Sequence, residues 1–127
     1  MSVQRFSDLH VWRRSHELFL ALLQDIDLMP RNRGASVLAD QVIRSVGSIG
    51  ANIAEGFGRS KKKYLSALGI AAGEANEAEN WLYKLRDAGY LDGGRCTERI
   101  RSLLEIQRML GGLRRAIRAH PDPTPNP

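Results

Sequence analysis

A run of cations between residues 59 and 63 is the strongest chemical signal in the sequence. Arg59, Lys61, Lys62 and Lys63 stand where a predicted helix begins. The helix dipole is positive there and disfavours each cation by about 0.3–1 kcal/mol, so a use outside the helix is indicated. The free backbone donors of a helix start can also hold phosphate oxygens. The cluster therefore predicts binding of a nucleic-acid backbone, either RNA or DNA.

A second set of cations recurs near the carboxyl end of the chain. Three arginines follow at seven-residue spacing with two more beside them: Arg101, Arg108, Arg115, Arg114 and Arg118. Glu105 neutralises part of this edge, so the edge is either a second binding surface or a solvated helix face. Only Phe57 and Tyr64 lie near the lysines as aromatic residues. Backbone binding without base stacking is therefore the expectation.

A polar stripe of mostly short side chains follows one face of the second predicted helix. Its members are Gln41, Arg44, Ser45, Ser48, Asn52 and Glu55. Buried polar groups must be paired, since each unsatisfied one costs about 1–3 kcal/mol. We predict a network of Arg44, Ser48, Asn52 and Glu55 with Glu77. The stripe is a subunit contact or binding surface, a polar layer inside one bundle, or a solvated face.

No combination of residues predicts catalysis or a metal site. His10, His16 and His120 have no companions at metal-ligand spacing, and neither a His-Glu-x-x-His nor a Cys-x-x-Cys pattern occurs. The segment from Gly56 to Lys61 lacks the spacing of a phosphate-binding loop and follows a helix. Glu74, Glu77 and Glu79 lack the Glu-x-x-His partner of bundle metal sites. The expectation is a protein that is not an enzyme and has no metal or cofactor.

Apolar spacing predicts that four helices carry these residues. The first begins near Ser7 or Asp8 and stops at Pro30, and the second runs from Gly34–Ser36 to Gly56. The third runs from a Ser60 cap to Ala88, with Gly89 as a left-handed C-cap. The fourth runs from near Thr97 to His120, with a weak point at Gly111–Gly112. Three short connections favour an antiparallel, up-down-up-down, all-α four-helix bundle over residues 1–120.

The remaining composition limits the architecture and the location. Residues 121–127 alternate proline with other residues and predict a disordered, proline-rich tail. The small-residue stretch 69–75 is expected to pack against a partner helix. The apolar run 18–23 is too short to span a membrane. The single cysteine, Cys96, cannot form an internal disulfide, which agrees with a reducing compartment. We therefore predict a cytoplasmic protein without membrane contact.

The stretch from Gln41 to Gly56 resembles a known family signature. Its most specific part is Ser48-Ile49-x-x-Asn52-Ile53-Ala54-Glu55-Gly56. Further matches are Phe6-x-x-Leu9-x-Val11-Trp12, Ile70-Ala71-x-Gly73-x-x-x-Glu77 and Gly89-Tyr90-Leu91. The chain resembles the four-helix-bundle proteins encoded within intervening sequences of bacterial large-subunit ribosomal RNA genes. Glu74 departs from the small polar residue that is usual in relatives.

That family is similar in fold to the accessory variability proteins of diversity-generating retroelements, which bind reverse transcriptase and nucleic acid. The resemblance implies a ring-shaped homopentamer of four-helix bundles with a basic surface. The sequence alone does not give the subunit number, because periodicity reveals apolar faces but not the symmetry that buries them.

Two functional hypotheses follow. With 19 Lys and Arg against 14 Asp and Glu, the net charge of +5 agrees with a nucleic-acid-binding oligomeric adaptor. The small-residue faces and the partly neutralised charge agree instead with a scaffold that binds only protein. The first predicts salt-sensitive binding of RNA or DNA, and the second predicts an oligomer indifferent to both.

Overall fold

The computed structural model describes residues 2–121, and its regular elements are all helices. A short 3-10 helix, Phe6–Asp8, precedes α1 (His10–Asp27), α2 (Arg33–Gly56), α3 (Lys61–Asp87) and α4 (Gly93–Ala119). No strand occurs among the described residues, and none of their helices is both long and apolar enough to cross a bilayer. The predicted all-helical class with four helices is confirmed. Of the predicted tail, residues 122–127 lie outside the described residues.

Both predicted boundary signals of α3 are confirmed. The Ser60 side chain accepts a hydrogen bond from the backbone N–H of Lys63 at 3.3 Å, which satisfies one free donor of the first turn. At the other end, Gly89 has a φ of 78°. This left-handed conformation lets the Tyr90 N–H donate to the Leu85 carbonyl at 3.0 Å.

The predicted starts of the other helices are wrong by a few residues. Helix α2 begins at Arg33 because the Asn32 side chain caps it. Helix α4 begins at Gly93, four residues before the predicted Thr97, because the Asp92 side chain caps it. The two glycines that follow Asp92 have low intrinsic helix propensity and concealed this start. The predicted weak point at Gly111–Gly112 does not interrupt α4.

The start of α1 differs from the prediction in a different way. Its N-cap is Leu9, which makes no side-chain cap. Asp8 instead accepts hydrogen bonds from the backbone N–H groups of Gln4 and Arg5 at 2.9 and 3.0 Å. These bonds hold the pKa of Asp8 below its usual value. The residue chosen as a helix cap therefore closes the preceding turn.

One hydrophobic core lies between the four helices. The face of α2 predicted to be apolar is buried, with Val42, Val46, Ile49 and Ile53 each at most 1% exposed. Helices α2 and α3 share the most extensive contact, and Ala71, Ala75 and Ala78 of α3 are buried. Each helix contacts the next, and α1 also contacts α4. The chain therefore closes into a four-helix bundle.

A buried ion pair joins α1 to α4. The Asp25 side chain is fully buried and accepts hydrogen bonds from Arg99 at 2.6 and 3.0 Å. Arg95 donates a further bond to the same carboxylate at 3.0 Å. The carboxylate raises the pKa of Arg99. Three bonds from two cations compensate the burial of one anion.

The closest approach of α2 and α3 requires Gly56. A Cβ atom at this position would lie 2.6 Å from the Ala67 Cβ and 3.3 Å from a ring carbon of Tyr64. Gly56→Ala is therefore expected to destabilise the fold by about 1–3 kcal/mol through overpacking. Gly73 is the matched control, because nothing lies within 4 Å of its Cβ position in the same helix pair. Gly73→Ala is expected to stabilise by about 0.5–1 kcal/mol.

Urea denaturation of the two glycine variants, followed by the far-ultraviolet circular dichroism of the helices, measures both changes. Equal effects of the same sign would contradict the close packing at Gly56.

Candidate nucleic-acid interface and polar network

Within residues 2–121, Lys61 is the member of the predicted lysine cluster whose side chain makes hydrogen bonds. Its Nζ atom donates to the backbone carbonyls of Arg118 at 3.1 Å and His120 at 2.7 Å. These carbonyls belong to the end of α4, where the helix dipole is negative and free acceptors accumulate. Lys61 therefore caps α4 and joins the start of α3 to the end of α4. Sequence reasoning missed this role because the partners are 57 and 59 residues away.

Arg59, Lys62 and Lys63 are exposed around the start of α3. Arg59 and Lys63 line a shallow cleft of about 190 Å³ with Glu55 and Ser66. The backbone N–H of Lys63 is used by the Ser60 cap. The arrangement presents three cations and one carboxylate to an approaching anion.

The predicted arginine edge of α4 divides into two parts. Arg101 pairs with Glu98 at 2.8 Å and lies about 25 Å along the helix from Arg118. Arg115 and Arg118 are exposed on the last turns of α4, and the Arg118 carbonyl accepts the Lys61 hydrogen bond. Arg108 is exposed between the two parts.

We call Arg59, Lys62, Lys63, Arg115 and Arg118 the basic end. Residues 108–121 carry four arginines and no acidic residue, and residues 52–66 carry four cations and one acidic residue. The Lys61 bonds bring these two segments together. Arg101 is too far along α4 to belong to the same surface.

A polar network between α2 and α3 centres on Glu77. Its carboxylate accepts hydrogen bonds from the Ser45 hydroxyl at 3.0 Å and from the Trp81 indole N–H at 3.2 Å. It also pairs with the guanidinium of Arg44. The Trp81 and Ser45 bonds, followed by the charge of Arg44, hold the pKa of Glu77 below its usual value.

The second half of the network continues along α2. The Ser48 hydroxyl donates to Glu74 at 3.3 Å, and the Asn52 amide donates to the Ser48 carbonyl and hydroxyl at 2.8 and 3.1 Å. The Arg44 Nη1 atom lies 3.7 Å from the Glu74 Oε1 atom. A single arginine therefore bridges two carboxylates on α3.

Glu55 was wrongly assigned to this network. Its side chain is exposed and lines the cleft with Arg59 and Lys63, and within residues 2–121 no hydrogen bond or ion pair joins it to the network. The sequence prediction missed Ser45, Glu74 and Trp81 as members. A usable signal existed, because Glu74, Glu77 and Trp81 are spaced by three and four residues and share one face of α3.

The comparisons with known proteins agree with this fold. A family model described as 23S rRNA-intervening sequence protein matches residues 7–112. The chain belongs to the 23S rRNA-intervening sequence protein family. It is also similar to a crystal structure from Bacteroides thetaiotaomicron described as a protein with unknown function from the S23 ribosomal protein family. The two share 28% identity over 82% of this chain and 97% of the other, with a TM-score of 0.75. No curated protein matches the sequence.

The residues that carry the resemblance to the intervening-sequence family have two structural roles. Ile49, Ile53 and Gly56 are buried in the contact between α2 and the core. Ser48 and Asn52 belong to the polar network. The motif therefore specifies both the packing of α2 and the polar surface it shares with α3.

An apolar cleft of about 290 Å³ lies on the opposite side of α2, against α1. Trp12 and Phe19 form its walls, and Gly47 and Gly50 form its floor. At its rim the Leu20 side chain is 48% exposed. Trp12 is stacked on His16 at 4.8 Å between ring centroids.

The described residues contain no group of three or more His, Cys, Asp or Glu side chains that could hold a metal ion. Cys96 is buried as a free thiol, and burial raises the pKa of that thiol. Its thiolate is therefore disfavoured, which makes Cys96 a poor nucleophile.

The lowered pKa of Glu77 predicts a pH effect on stability. The stabilisation by this carboxylate is complete above its ordinary pKa of 4.5 and is lost as the pH falls through the lower pKa of the folded state. Glu77→Gln should therefore reduce the decline in stability that begins as the pH falls below 4.5. Ser45→Ala removes one donor and should give an intermediate slope. Urea denaturation between about pH 2.5 and 7 tests this, and an unchanged slope in Glu77→Gln would contradict it.

Proposed function

We propose that this chain is a non-enzymatic, homo-oligomeric bundle protein that binds the phosphate backbone of nucleic acid, as an adaptor. The observation that supports this most directly is the basic end, where cations of two helices adjoin. Exposed cations can neutralise phosphates and release counterions, although Glu55 lines the same cleft as Arg59 and Lys63. The family description refers to an intervening sequence of 23S rRNA, which makes RNA the first nucleic acid to test.

The proposal includes an antiparallel, up-down-up-down order of the helices. Contacts between residues at corresponding levels support it: Phe19 lies against Gly47 and Trp12 against Gly50. For α3 and α4, Lys61 reaches Arg118 and Cys96 contacts the Leu82 carbonyl. In both pairs, the contacts move towards the end of one helix as they move towards the start of the other, as antiparallel neighbours require.

Self-association into a ring, with five subunits as the family resemblance implies, is also part of the proposal. The apolar cleft between α1 and α2 supports it, since exposed leucine beside a small-residue floor is a surface that a second copy can cover. Leu20→Arg would place a charge in that contact and is expected to lower the mass in solution towards 14.2 kDa. The predicted single bundle over residues 1–120 and the cytoplasmic location remain part of this proposal.

Nucleic-acid affinity measured against salt concentration tests the proposal. The variant should replace Arg59, Lys62 and Lys63 by Gln and leave Lys61 in place, because Lys61 caps α4. Loss of three phosphate contacts is expected to weaken binding at every salt concentration and to reduce the salt slope by about 3. Arg101→Gln is the matched control, since Arg101 pairs with Glu98 away from the basic end.

An alternative function, a scaffold that binds only protein, is favoured by the apolar cleft alone. It predicts an intact oligomer with no affinity for RNA or DNA at low salt. Light scattering on the same samples separates the two functions. Absence of binding by the unaltered protein at about 50 mM salt would overturn the nucleic-acid proposal.

A further inference from the structure

The aromatic residues nearest the basic end are engaged with each other. Phe57 and Tyr64 pack edge to face, with ring centroids 6.2 Å apart, and burial raises the pKa of Tyr64. Single-strand binding proteins rely on open aromatic faces, each of which contributes about 1–3 kcal/mol per stacked base. These two rings do not provide such a platform.

The other aromatic rings are also engaged or lie elsewhere. Trp12 has Phe6 at its edge and His16 on its face, with centroids 5.4 and 4.8 Å away. Phe19 packs over Gly47. At the opposite end of α3, the remaining contacts are cation–π pairs of Lys84 with Trp81 and Arg86 with Tyr83. Tyr90 is half-buried, with its hydroxyl against Gly34.

Hydrogen bonds stabilise and join the two helix ends that carry the cations of the basic end. Ser60 fixes the start of α3, and the Lys61 bonds to Arg118 and His120 fix the end of α4 relative to it. The same bonds place a cation on the carbonyls at the end of α4, which would otherwise repel phosphate. Cations carried on two helix ends that are joined by hydrogen bonds suit the regular phosphates of a double helix, whereas a single strand must be ordered on binding at an entropic cost.

From these observations we infer that the basic end binds double-helical nucleic acid in preference to single strands, through the phosphate backbone. This inference rests on the proposed nucleic-acid function and names the form of its ligand. A duplex offers one negative charge per about 1.7 Å of axis, so it supplies the higher charge density to cations that have no stacking partner for bases. Recognition of this kind is independent of base sequence.

Four probes test the inference: a 20-base-pair RNA duplex, a DNA duplex of the same sequence, and one single strand of each. Binding of the full chain is measured at several salt concentrations. Each duplex is expected to bind at least ~10-fold tighter than its single strand at the same salt. The duplex salt slope should fall by about 1 for each of Arg59→Gln, Lys63→Gln and Arg115→Gln. Arg101→Gln should leave the slope unchanged.

The possible outcomes separate the inference from the function beneath it. If single strands bind as tightly as the duplexes, the duplex preference is overturned while nucleic-acid binding stands. Equal affinity for the two forms, together with a loss of single-strand affinity in Phe57→Ala, would trace that failure to a stacking site at Phe57. If neither form binds at low salt, the proposed function itself fails. A circular dichroism spectrum of each variant confirms that its helices are intact.

Discussion

Asp25→Ala is expected to lower the free energy of unfolding by about 3 kcal/mol. The Asp25 carboxylate is fully buried, and its removal leaves two arginines without the anion that compensates their burial. Breaking a buried ion pair by removing one partner costs about 3–5 kcal/mol. The lower figure applies here because the Arg95 side chain is 45% exposed and can turn towards water. Urea denaturation at a fixed protein concentration measures the change, since the stability of the proposed oligomer would depend on concentration.

Asp27→Ala is the matched control for Asp25→Ala. Asp27 is an exposed aspartate two residues away on the same helix, and its replacement is expected to change stability by less than about 0.5 kcal/mol. A double variant, Asp25→Leu with Arg99→Leu, removes both charges of the closest pair and should recover part of the loss. If Asp25→Ala and Asp27→Ala have equal effects, the ion pair contributes no net stability.

The helices were predictable from sequence because their signals are local. The apolar spacing of α2, the Ser60 cap and the left-handed Gly89 each involve residues within one or two turns. The start of α4 was missed because its glycine pair opposes helix formation locally. Burial of Cys96 at 0% exposure and the Asp92 cap outweigh that cost, and the burial depends on tertiary packing.

The candidate sites were less predictable because they depend on contacts between distant residues. Arg44 and Glu77 were placed in one predicted network, and their side chains form an ion pair. The sequence predicted neither the hydrogen bonds of Lys61 nor those of Asp25, because their partners lie 57 to 74 residues away in sequence. A charge count treats all lysines of the cluster alike. Only the three-dimensional contacts separate Lys61, which caps α4, from Lys62 and Lys63.

The polar network differs from the basic end in how it would respond to mutation. Glu74 and Glu77 share Arg44, so a change in any one of them alters the other two. The cations of the basic end are exposed, and no hydrogen bond or ion pair within residues 2–121 joins one to another, so their contributions to the salt slope should add. If the effects of single substitutions in the basic end on the salt slope do not add in the combined variant, the network and not the basic end would be indicated as the ligand contact.

Ile49→Ala is expected to lower the free energy of unfolding by about 3 kcal/mol. Ile49 lies in the centre of α2 with 0% exposure. Removal of its three outer carbons loses the transfer energy of apolar surface and leaves a cavity among helices that pack closely. The residue belongs to the motif that identified the family, so this variant tests which property the motif specifies. Urea denaturation measures stability, and the salt slope for RNA measures binding.

Val37→Ala is the matched control, because Val37 is on the same helix but is 52% exposed. Its replacement should change stability by less than about 0.5 kcal/mol. Ile49→Ala should keep the salt slope of the unaltered protein under conditions in which it is folded, since Ile49 is buried in the core and the cations of the basic end are exposed. A reduced slope in the folded variant would show that the packing of α2 positions the basic end. In that case the buried half of the family motif would act on binding as well as on stability.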